Sequence, residues 1–231
     1  MTLPEYRTGR DPANKGRKFP AEPLTPEEID RLIRACGRGP AGLRNAALIA
    51  VYARAGLRCA EALDLLPKDV DLERGRVTIL HGKGNRRRVV GLDPGACALV
   101  EKWCRQRAKL GVGPTKPLFC VISKPTLGER VGDAYVRDLL KRLGVKAEIN
   151  KRVHPHGLRH SYASYLLDRG VPMRTIQRML GHGSMATTER YCHDLNPAVM
   201  LENVRTMEWP ELPAMRARRG SGPDPQSQAA A

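Results

Sequence analysis

The chain has 231 residues, of which 40 are Lys or Arg and 24 are Asp or Glu, so its formal net charge at pH 7 is +16. This length suits one good-sized domain with tails or two small domains, and the charge predicts a polyanionic partner. No apolar run approaches the roughly 18 residues of a membrane span, and residues 1–20 lack the apolar core of a secretory signal. The six cysteines include no C-x-x-C pair, which favours reduced thiols in a cytosolic protein over a disulfide or zinc framework.

The chain begins with a polar arm that leads into two predicted helices. Residues 1–22 are polar and contain several prolines, so we interpret them as a basic, flexible arm or linker. Thr25 and Glu28 have the spacing of a capping box at the start of a helix. The apolar run over residues 42–55 predicts a second, longer helix that Gly56 ends.

The segment AGLRCAEALDLL follows this helix and places Arg58 at the junction of two predicted helices, with Glu61 three residues later. One interpretation is an ion pair between these two side chains on a solvated surface. The other is that Arg58 belongs to an active site and that Glu61 orients it or a neighbouring helix. The segment alone favours the first interpretation, and its order relative to the later motifs favours the second.

Residues 75–91 alternate apolar and polar side chains on both sides of a glycine-rich turn, which predicts a β-hairpin. Lys83 lies at the tip of this hairpin, where a lysine either solubilises the protein or reaches a bound ligand. We interpret the basic run after the tip as contacts to a phosphate backbone, which add salt-dependent affinity without sequence information. These residues are Arg86, Arg87 and Arg88.

The middle of the chain contains two predicted helices and a short apolar segment that would belong to the hydrophobic core. Asp93 caps a helix over residues 94–110, residues 118–121 form a short strand or a buried turn, and residues 131–143 form another helix. With the hairpin, these elements predict a mostly α fold with a small antiparallel β-sheet, of the α+β class.

The densest set of chemically useful side chains follows Val153. Pro155 suits the first turn of a helix that carries His156 and Arg159 on one face, where free N–H groups and the helix dipole favour an anion. His154 is interpreted as an N-cap or solvent residue. His160 is interpreted as packing beside Arg159 and fixing its surroundings.

A second helix in this region begins near Pro172 and ends at Gly181, which places His182 in a turn. Ser184 then caps a short helix that carries Tyr191. The histidine and the tyrosine therefore lie on separate small elements.

These motifs, taken in order, resemble the tyrosine recombinase, or phage integrase, family: A-G-L-R-x-x-E-x-L, G-K-G on a hairpin, H-x-L-R-H, L-G-H, and a tyrosine nine residues after the last histidine. The resemblance implies a tyrosine recombinase-like catalytic domain that cleaves and rejoins DNA through a 3′-phosphotyrosine intermediate, with no metal and no other cofactor. The catalytic residues it implies are Arg58, Lys83, His156, Arg159, His182 and Tyr191, supported by Glu61 and His160.

The resemblance also implies how the chain is organised. The catalytic domain would cover residues 23–210, and the composition of residues 211–231 separately predicts a disordered tail. Typical members also carry an N-terminal helical domain that closes a clamp around DNA, which 22 polar residues cannot form. The chain is therefore either a catalytic-domain fragment or a naturally short recombinase, and we expect weaker DNA affinity than a two-domain enzyme has. An apolar-faced helix over residues 197–207 docks either in cis or on a neighbouring protomer.

The implied partner is double-stranded DNA, bound by a homo-tetramer on paired sites or by a monomer in isolation, in the cytoplasm and associated with the nucleoid. One alternative is a type IB topoisomerase, which uses similar chemistry to relax supercoils. Another is a non-catalytic DNA-binding regulator with a helix-turn-helix over residues 170–183. That second alternative explains the charge but leaves Arg58, Lys83 and Tyr191 without a role.

Overall fold

The computed structural model describes residues 22–80 and 87–181, which belong to the first of two compact units, Met1–Leu195. The second unit, Asn196–Ala231, lies outside the described residues. The helices are α1 (Pro26–Arg34), α2 (Pro40–Ala55), α3 (Cys59–Leu63), a 3-10 turn (Pro67–Asp69), α4 (Pro94–Lys109), α5 (Asp133–Lys146), α6 (Pro155–Asp168) and α7 (Met173–Leu180). The strands are β1 (Val70–Asp71), β2 (Arg76–Ile79) and β3 (Arg88–Gly91). The predicted class, mostly helical with a small antiparallel sheet, is confirmed.

Helix α1 starts where the sequence predicts. The Thr25 hydroxyl accepts the Glu28 N–H at 3.2 Å and the Glu28 carboxylate accepts the Thr25 N–H at 2.8 Å, so the capping box is complete. Lys151 also pairs with Glu28 at 2.8 Å, and the Leu24 N–H donates to Ser161 on α6 at 2.7 Å. These contacts attach the start of the described chain to α6 and to the segment before it.

Helix α2 lies at the centre of the main core. Its residues 44–53 are all buried, because the sequence is apolar on nearly every side of the helix. Helices α1, α4 and α6 pack against it. Arg44 is the charged residue in that run, and it donates to the Cys120 carbonyl at 3.0 Å and to the side chain of Asn45. The buried charge is thus hydrogen-bonded, as burial requires.

Gly56 ends α2 in the left-handed conformation, with φ of 62°, as the sequence predicts. A Cβ added at this position would lie 2.4 Å from Cδ1 of Tyr162 and 2.9 Å from Cδ2 of Leu180. The residue is therefore glycine for two reasons, its backbone conformation and the close approach of α6 and α7. The turn at Gly56 leads the chain directly into Arg58 and α3.

We expect Gly56→Ala to lower the free energy of unfolding by about 3 kcal/mol, because left-handed backbone is costly for L residues and the added methyl overpacks the core. Urea denaturation measures the change. Gly113→Ala is the matched control, since a Cβ added there has no other atom within 4 Å. A Gly56→Ala variant as stable as Gly113→Ala would contradict this account of the turn.

The predicted hairpin is confirmed as β2 and β3, which pair antiparallel with Val77 opposite Val90 and Ile79 opposite Arg88. Its turn, residues 81–86, lies outside the described residues. Strand β1 adds a third, edge strand beside β2 that the sequence did not predict, because two residues are too few to show alternation. Val77, Ile79 and Val90 are buried in the core, so the sheet has an inward face that anchors the hairpin.

Helices α5 and α6 differ in how closely they follow prediction. Helix α5 begins two residues later than predicted because Gly132 is its extended N-cap, and it continues to Lys146. The apolar run before it is a buried segment in which Cys120 makes an isolated antiparallel bridge to Arg130. Helix α6 begins at Pro155 as predicted and forms a second, smaller apolar cluster with α7. None of the helices in residues 22–80 and 87–181 is long and apolar enough to cross a bilayer.

Candidate active site

Arg58 lies between α2 and α3, and Glu61 lies in the first turn of α3. One Glu61 oxygen accepts the Arg58 main-chain N–H at 2.8 Å, and the other binds Nη1 of Arg58 at 2.7 Å. The Glu61 side chain is 5% exposed and that of Arg58 is 31% exposed. The predicted ion pair between these two side chains is therefore present, but its carboxylate is buried and does not lie on a solvated surface.

Glu61 is shared by further guanidinium groups. Nη1 and Nη2 of Arg88 donate to its two oxygens at 2.8 and 2.6 Å, and Nη1 of Arg159 lies 3.9 Å from Oε2. Burial alone would raise the pKa of Glu61, but hydrogen bonds and charge from Arg88, together with hydrogen bonds from Arg58, outweigh it and hold the pKa at about 2. Positive charge remains in excess, because three guanidinium groups surround one carboxylate.

Glu61 is expected to contribute acid-sensitive stability. Its pKa of about 2 in the folded state lies below the usual 4.5, so the ionised carboxylate stabilises the fold above pH 4.5 and that stabilisation disappears as pH falls toward 2. The contribution is on the order of 3 kcal/mol. Glu61→Gln does not titrate, so its stability deficit relative to wild type, measured by urea denaturation, should narrow between about pH 6 and about pH 3.

The control for this titration is Glu101→Gln, which removes an exposed partner of Arg105 on α4. An exposed ion pair contributes little to stability, so this variant should track wild type at both pH values. A Glu61→Gln deficit that stays constant with pH would contradict the assignment of the low pKa to Glu61.

Three arginines from separate elements bind three successive carbonyl groups at the C-terminal end of α7. The pairs are Nε of Arg88 with Met179 O at 3.0 Å, Nη2 of Arg159 with Leu180 O at 2.5 Å, and Nη2 of Arg58 with Gly181 O at 2.9 Å. The last carbonyls of a helix lack intrahelical partners and lie at the negative end of its dipole, so guanidinium groups stabilise them. The L-G-H motif is thereby held in place up to Gly181, the residue before His182.

Arg159 lies on α6, and only 2% of its side chain is exposed. Its Nη1 donates to the Gly56 carbonyl at 2.6 Å, while Nη2 binds the end of α7. The guanidinium group therefore connects the end of α2, where the Arg58 segment begins, with the L-G-H segment.

An open cleft of about 520 Å³ brings these elements together. Its lining includes Arg58, Asp133, Arg137, Arg152, His156 and Arg159. Three of the six predicted catalytic residues, Arg58, His156 and Arg159, thus share one cleft. Arginine outnumbers aspartate in this lining, so the cleft is suited to an anion.

The histidines of α6 have different surroundings. His154 caps the helix, since its Nδ1 accepts the Gly157 N–H at 2.7 Å, and its predicted N-cap role is confirmed. Desolvation, followed by the nearby charge of Arg159, lowers the pKa of His156, which favours the neutral imidazole that can accept a proton. His160 is buried on the same helix, and its supporting role beside Arg159 stays a prediction.

The basic run after the hairpin turn divides into different environments. Arg87 is exposed, whereas the Arg88 side chain is 10% exposed and each of its three guanidinium nitrogens donates within the protein. These contacts favour a structural role for Arg88 over the predicted phosphate contact. The sequence does contain a signal for this placement, because Arg88 shares a strand face with the buried Val90.

The remaining predicted residues, Lys83, Arg86, His182 and Tyr191, lie outside the described residues. Across the part of the chain that is described, no three His, Cys, Asp or Glu side chains converge as metal ligands do. Metal-free chemistry stays a prediction of the sequence.

Comparison with known proteins gives the class to which this fold and site belong. Residues 22–197 match the phage integrase family. The tyrosine recombinase XerD of Bifidobacterium longum is 33% identical over 205 residues, which are 84% of this chain and 65% of that protein. The crystal structure of XerA recombinase superposes with a TM-score of 0.69 and 30% identity over 87% of this chain and 70% of that one. The chain belongs to the phage integrase family.

A second solved structure holds DNA. The XerH site-specific recombinase, in a post-cleavage complex with a palindromic difH substrate, has a TM-score of 0.66 and 29% identity over 82% of this chain and 54% of that one. The chain thus spans about half to two thirds of the length of relatives such as XerH and XerD. What those longer proteins do is therefore a proposal for this chain.

Proposed function

We propose that this chain is a site-specific DNA recombinase that cleaves and rejoins DNA through a 3′-phosphotyrosine intermediate formed by Tyr191. The observation that carries the proposal is the cleft shared by Arg58, His156 and Arg159, at the positions of the family motifs. We further propose that residues 23–210 form the catalytic domain, between a basic N-terminal arm and a C-terminal tail.

The chemistry requires stabilisation of charge on phosphorus oxygens. When the Tyr191 oxygen attacks, negative charge builds on the two non-bridging oxygens, and the planar forks of Arg58 and Arg159 suit them. Donors of this kind contribute roughly 3 kcal/mol each in other enzymes. The Gly181 and Leu180 carbonyls now hold N–H groups of these arginines, so a phosphate would share or replace those contacts.

Proton transfer completes the step. The tyrosine hydroxyl has an ordinary pKa near 10, so a base must assist it, and the neutral His156 is suited to act as base or relay. The bond from Tyr191 to phosphorus forms as the bond to the 5′-oxygen breaks, and that oxygen takes a proton from Lys83. His182 adds a hydrogen bond to the phosphate. A second 5′-hydroxyl reverses the reaction and restores the tyrosine.

The proposed partner is double-stranded DNA, bound by a homo-tetramer on paired sites in the cytoplasm, in association with the nucleoid. The XerH structure with its difH substrate and the net charge of +16 support DNA as the partner. Arg86 and Arg87 are proposed to contact its phosphates, which adds salt-dependent affinity.

The test is a suicide duplex, nicked beside the cleavage position and drawn from a pool of palindromic candidate sites. We expect the wild-type chain to form a denaturant-resistant adduct with the 5′-labelled strand, and to form recombined junctions on paired sites. On a supercoiled plasmid that carries the paired sites, relaxed circles without recombined junctions would instead identify a type IB topoisomerase. Reversible binding with no adduct would identify a DNA-binding regulator and overturn the proposal.

A further inference from the structure

Arg88 occupies a place in the site that the proposed chemistry does not use. It begins β3, in which Val90 is buried, and its side chain points to the same face of the sheet. Its guanidinium group binds both oxygens of Glu61 through Nη1 and Nη2, and its Nε donates to Met179 O at 3.0 Å. One side chain therefore joins the hairpin to α3 and to α7.

We propose that Arg88 is a positioning residue for the active site, which holds Arg58 in place through Glu61 and holds the C-terminal end of α7 in place up to Gly181. The proposal rests on the proposed function, because it concerns the rate of DNA cleavage. Arg88 does not touch the reacting atoms in this role; it acts through the groups that do.

The geometry around Glu61 gives the first part of the role. Arg88 binds the carboxylate as a two-pronged fork, which fixes the plane of the carboxylate as a single hydrogen bond would not. Oε1 of the oriented carboxylate then accepts Nη1 of Arg58, and Oε2 accepts the Arg58 main-chain N–H. The arginine that lines the cleft is thus held at two points by an acid that Arg88 has oriented.

The contacts with α7 give the second part. Gly181 has φ of 66°, and a Cβ added there would lie 3.1 Å from Nη1 and 3.2 Å from Cδ of Arg88. The Arg88 side chain therefore packs directly against the residue that precedes His182. Arg88 is also the first residue of β3, the second strand of the hairpin.

Exposure separates Arg88 from its neighbours. The Arg58 side chain is 31% exposed and lines the cleft, whereas that of Arg88 is 10% exposed and lies behind Glu61. Arg87, the residue before β3, is exposed, so it is available to a DNA backbone. Arg88 makes three hydrogen bonds to two residues, Glu61 and Met179, and it is not among the residues that line the cleft, whereas Arg58 and Arg159 are. This placement suits positioning of the site, and the exposed Arg87 suits a phosphate contact.

The experiment compares Arg88→Gln and Arg88→Lys with Arg87→Gln and with Arg105→Gln, an exposed arginine on α4. Cleavage of the suicide duplex is measured in single turnover at saturating protein, and DNA affinity is measured over a range of salt concentrations. We expect Arg88→Gln to slow cleavage about 100-fold, since small misplacements of catalytic groups have effects of that size. Its salt dependence of binding should match wild type, whereas Arg87→Gln should lower the slope by about 0.9.

Two further variants distinguish positioning from a general loss of structure. In an Arg58→Lys background the fork at the phosphate is already absent, so adding Arg88→Gln should slow cleavage by less than it does in wild type. The double variant Glu61→Gln/Arg88→Gln removes both charges of this ion pair, so neither residue is left as an unpaired buried charge. The double variant can therefore be assayed even if Arg88→Gln alone fails to fold. This pair should also cleave slowly, and Arg88→Lys should recover part of the rate.

The outcomes are distinguishable. Wild-type cleavage together with a wild-type rate for Arg88→Gln overturns the positioning role and leaves the proposed function intact. A reduced salt slope at an unchanged rate identifies Arg88 as a phosphate contact. Equal slowing by Arg88→Gln in the wild-type and Arg58→Lys backgrounds shows that it does not act through Arg58. Absence of an adduct with wild type overturns the proposed function itself.

Discussion

Tyr191→Phe is expected to abolish the covalent protein–DNA adduct completely while DNA binding persists. Phenylalanine keeps the ring but lacks the oxygen that would form the bond to phosphorus, so no residual activity is expected from that position. The adduct is measured on a denaturing gel with the suicide duplex carrying a 5′ label, because the proposed link is to the 3′-phosphate of that strand.

The matched control is Tyr165→Phe, the same chemical change on α6. Tyr165 is exposed and its ring lies under the guanidinium group of Arg169, 4.5 Å from the ring centroid, so the variant should form adduct as wild type does. Tyr162 is a poor nucleophile, because burial raises its pKa to about 12. An adduct that persists in Tyr191→Phe would place the nucleophile on another residue.

Helix ends were the most predictable part of the fold, because their chemistry is local. The Thr25 capping box and the Asp93 cap, which accepts the N–H groups of Gly95 and Ala96, follow from residues three positions apart or fewer. Gly56 and Gly181 likewise end their helices in the left-handed conformation. Strand β1 could not be predicted, since two residues carry no periodic signal.

The sequence predicts which residues form the site, but it does not predict which of their side chains bind one another. The order of the motifs placed Arg58, His156 and Arg159 in one site, and their shared cleft agrees with that grouping. The network around Glu61 could not be predicted, because its acid and Arg88 lie 27 positions apart and meet only when the hairpin packs on α3. The basic run predicts a phosphate contact for Arg88 together with Arg86 and Arg87, although Arg88 lies two residues before the buried Val90 and therefore on the same face of the strand.

The structure also explains why the motif residues occur beside glycine and leucine. In A-G-L-R, the Gly56 carbonyl accepts Arg159, so the glycine both turns the chain and binds a catalytic candidate. In L-G-H, the carbonyls of Leu180 and Gly181 accept Arg159 and Arg58. Main-chain atoms of each motif thus bind side chains of another, which makes the arginines part of the fold as well as of the site.

Arg159→Lys is expected to reduce both cleavage and stability, since Arg159 has this double function. A lysine has one ammonium group, and it cannot span Gly56 O and Leu180 O as the two Nη atoms do. Loss of one donor to the reacting phosphate should slow single-turnover cleavage about 100- to 1,000-fold. A buried carbonyl left without its partner should lower the free energy of unfolding by about 1–3 kcal/mol, measured by urea denaturation.

Arg169→Lys is the matched control for this change, because Arg169 follows the same helix and is exposed. It should cleave and unfold as wild type does. If Arg159→Lys lost stability but cleaved at the wild-type rate, Arg159 would hold α2 and α7 together without contacting phosphate. If it cleaved slowly at unchanged stability, the two carbonyl contacts would contribute less than their burial implies. We expect Arg159→Lys to lose cleavage rate and stability together. The N–H groups that bind the two carbonyls and those offered to DNA belong to one rigid, planar guanidinium group.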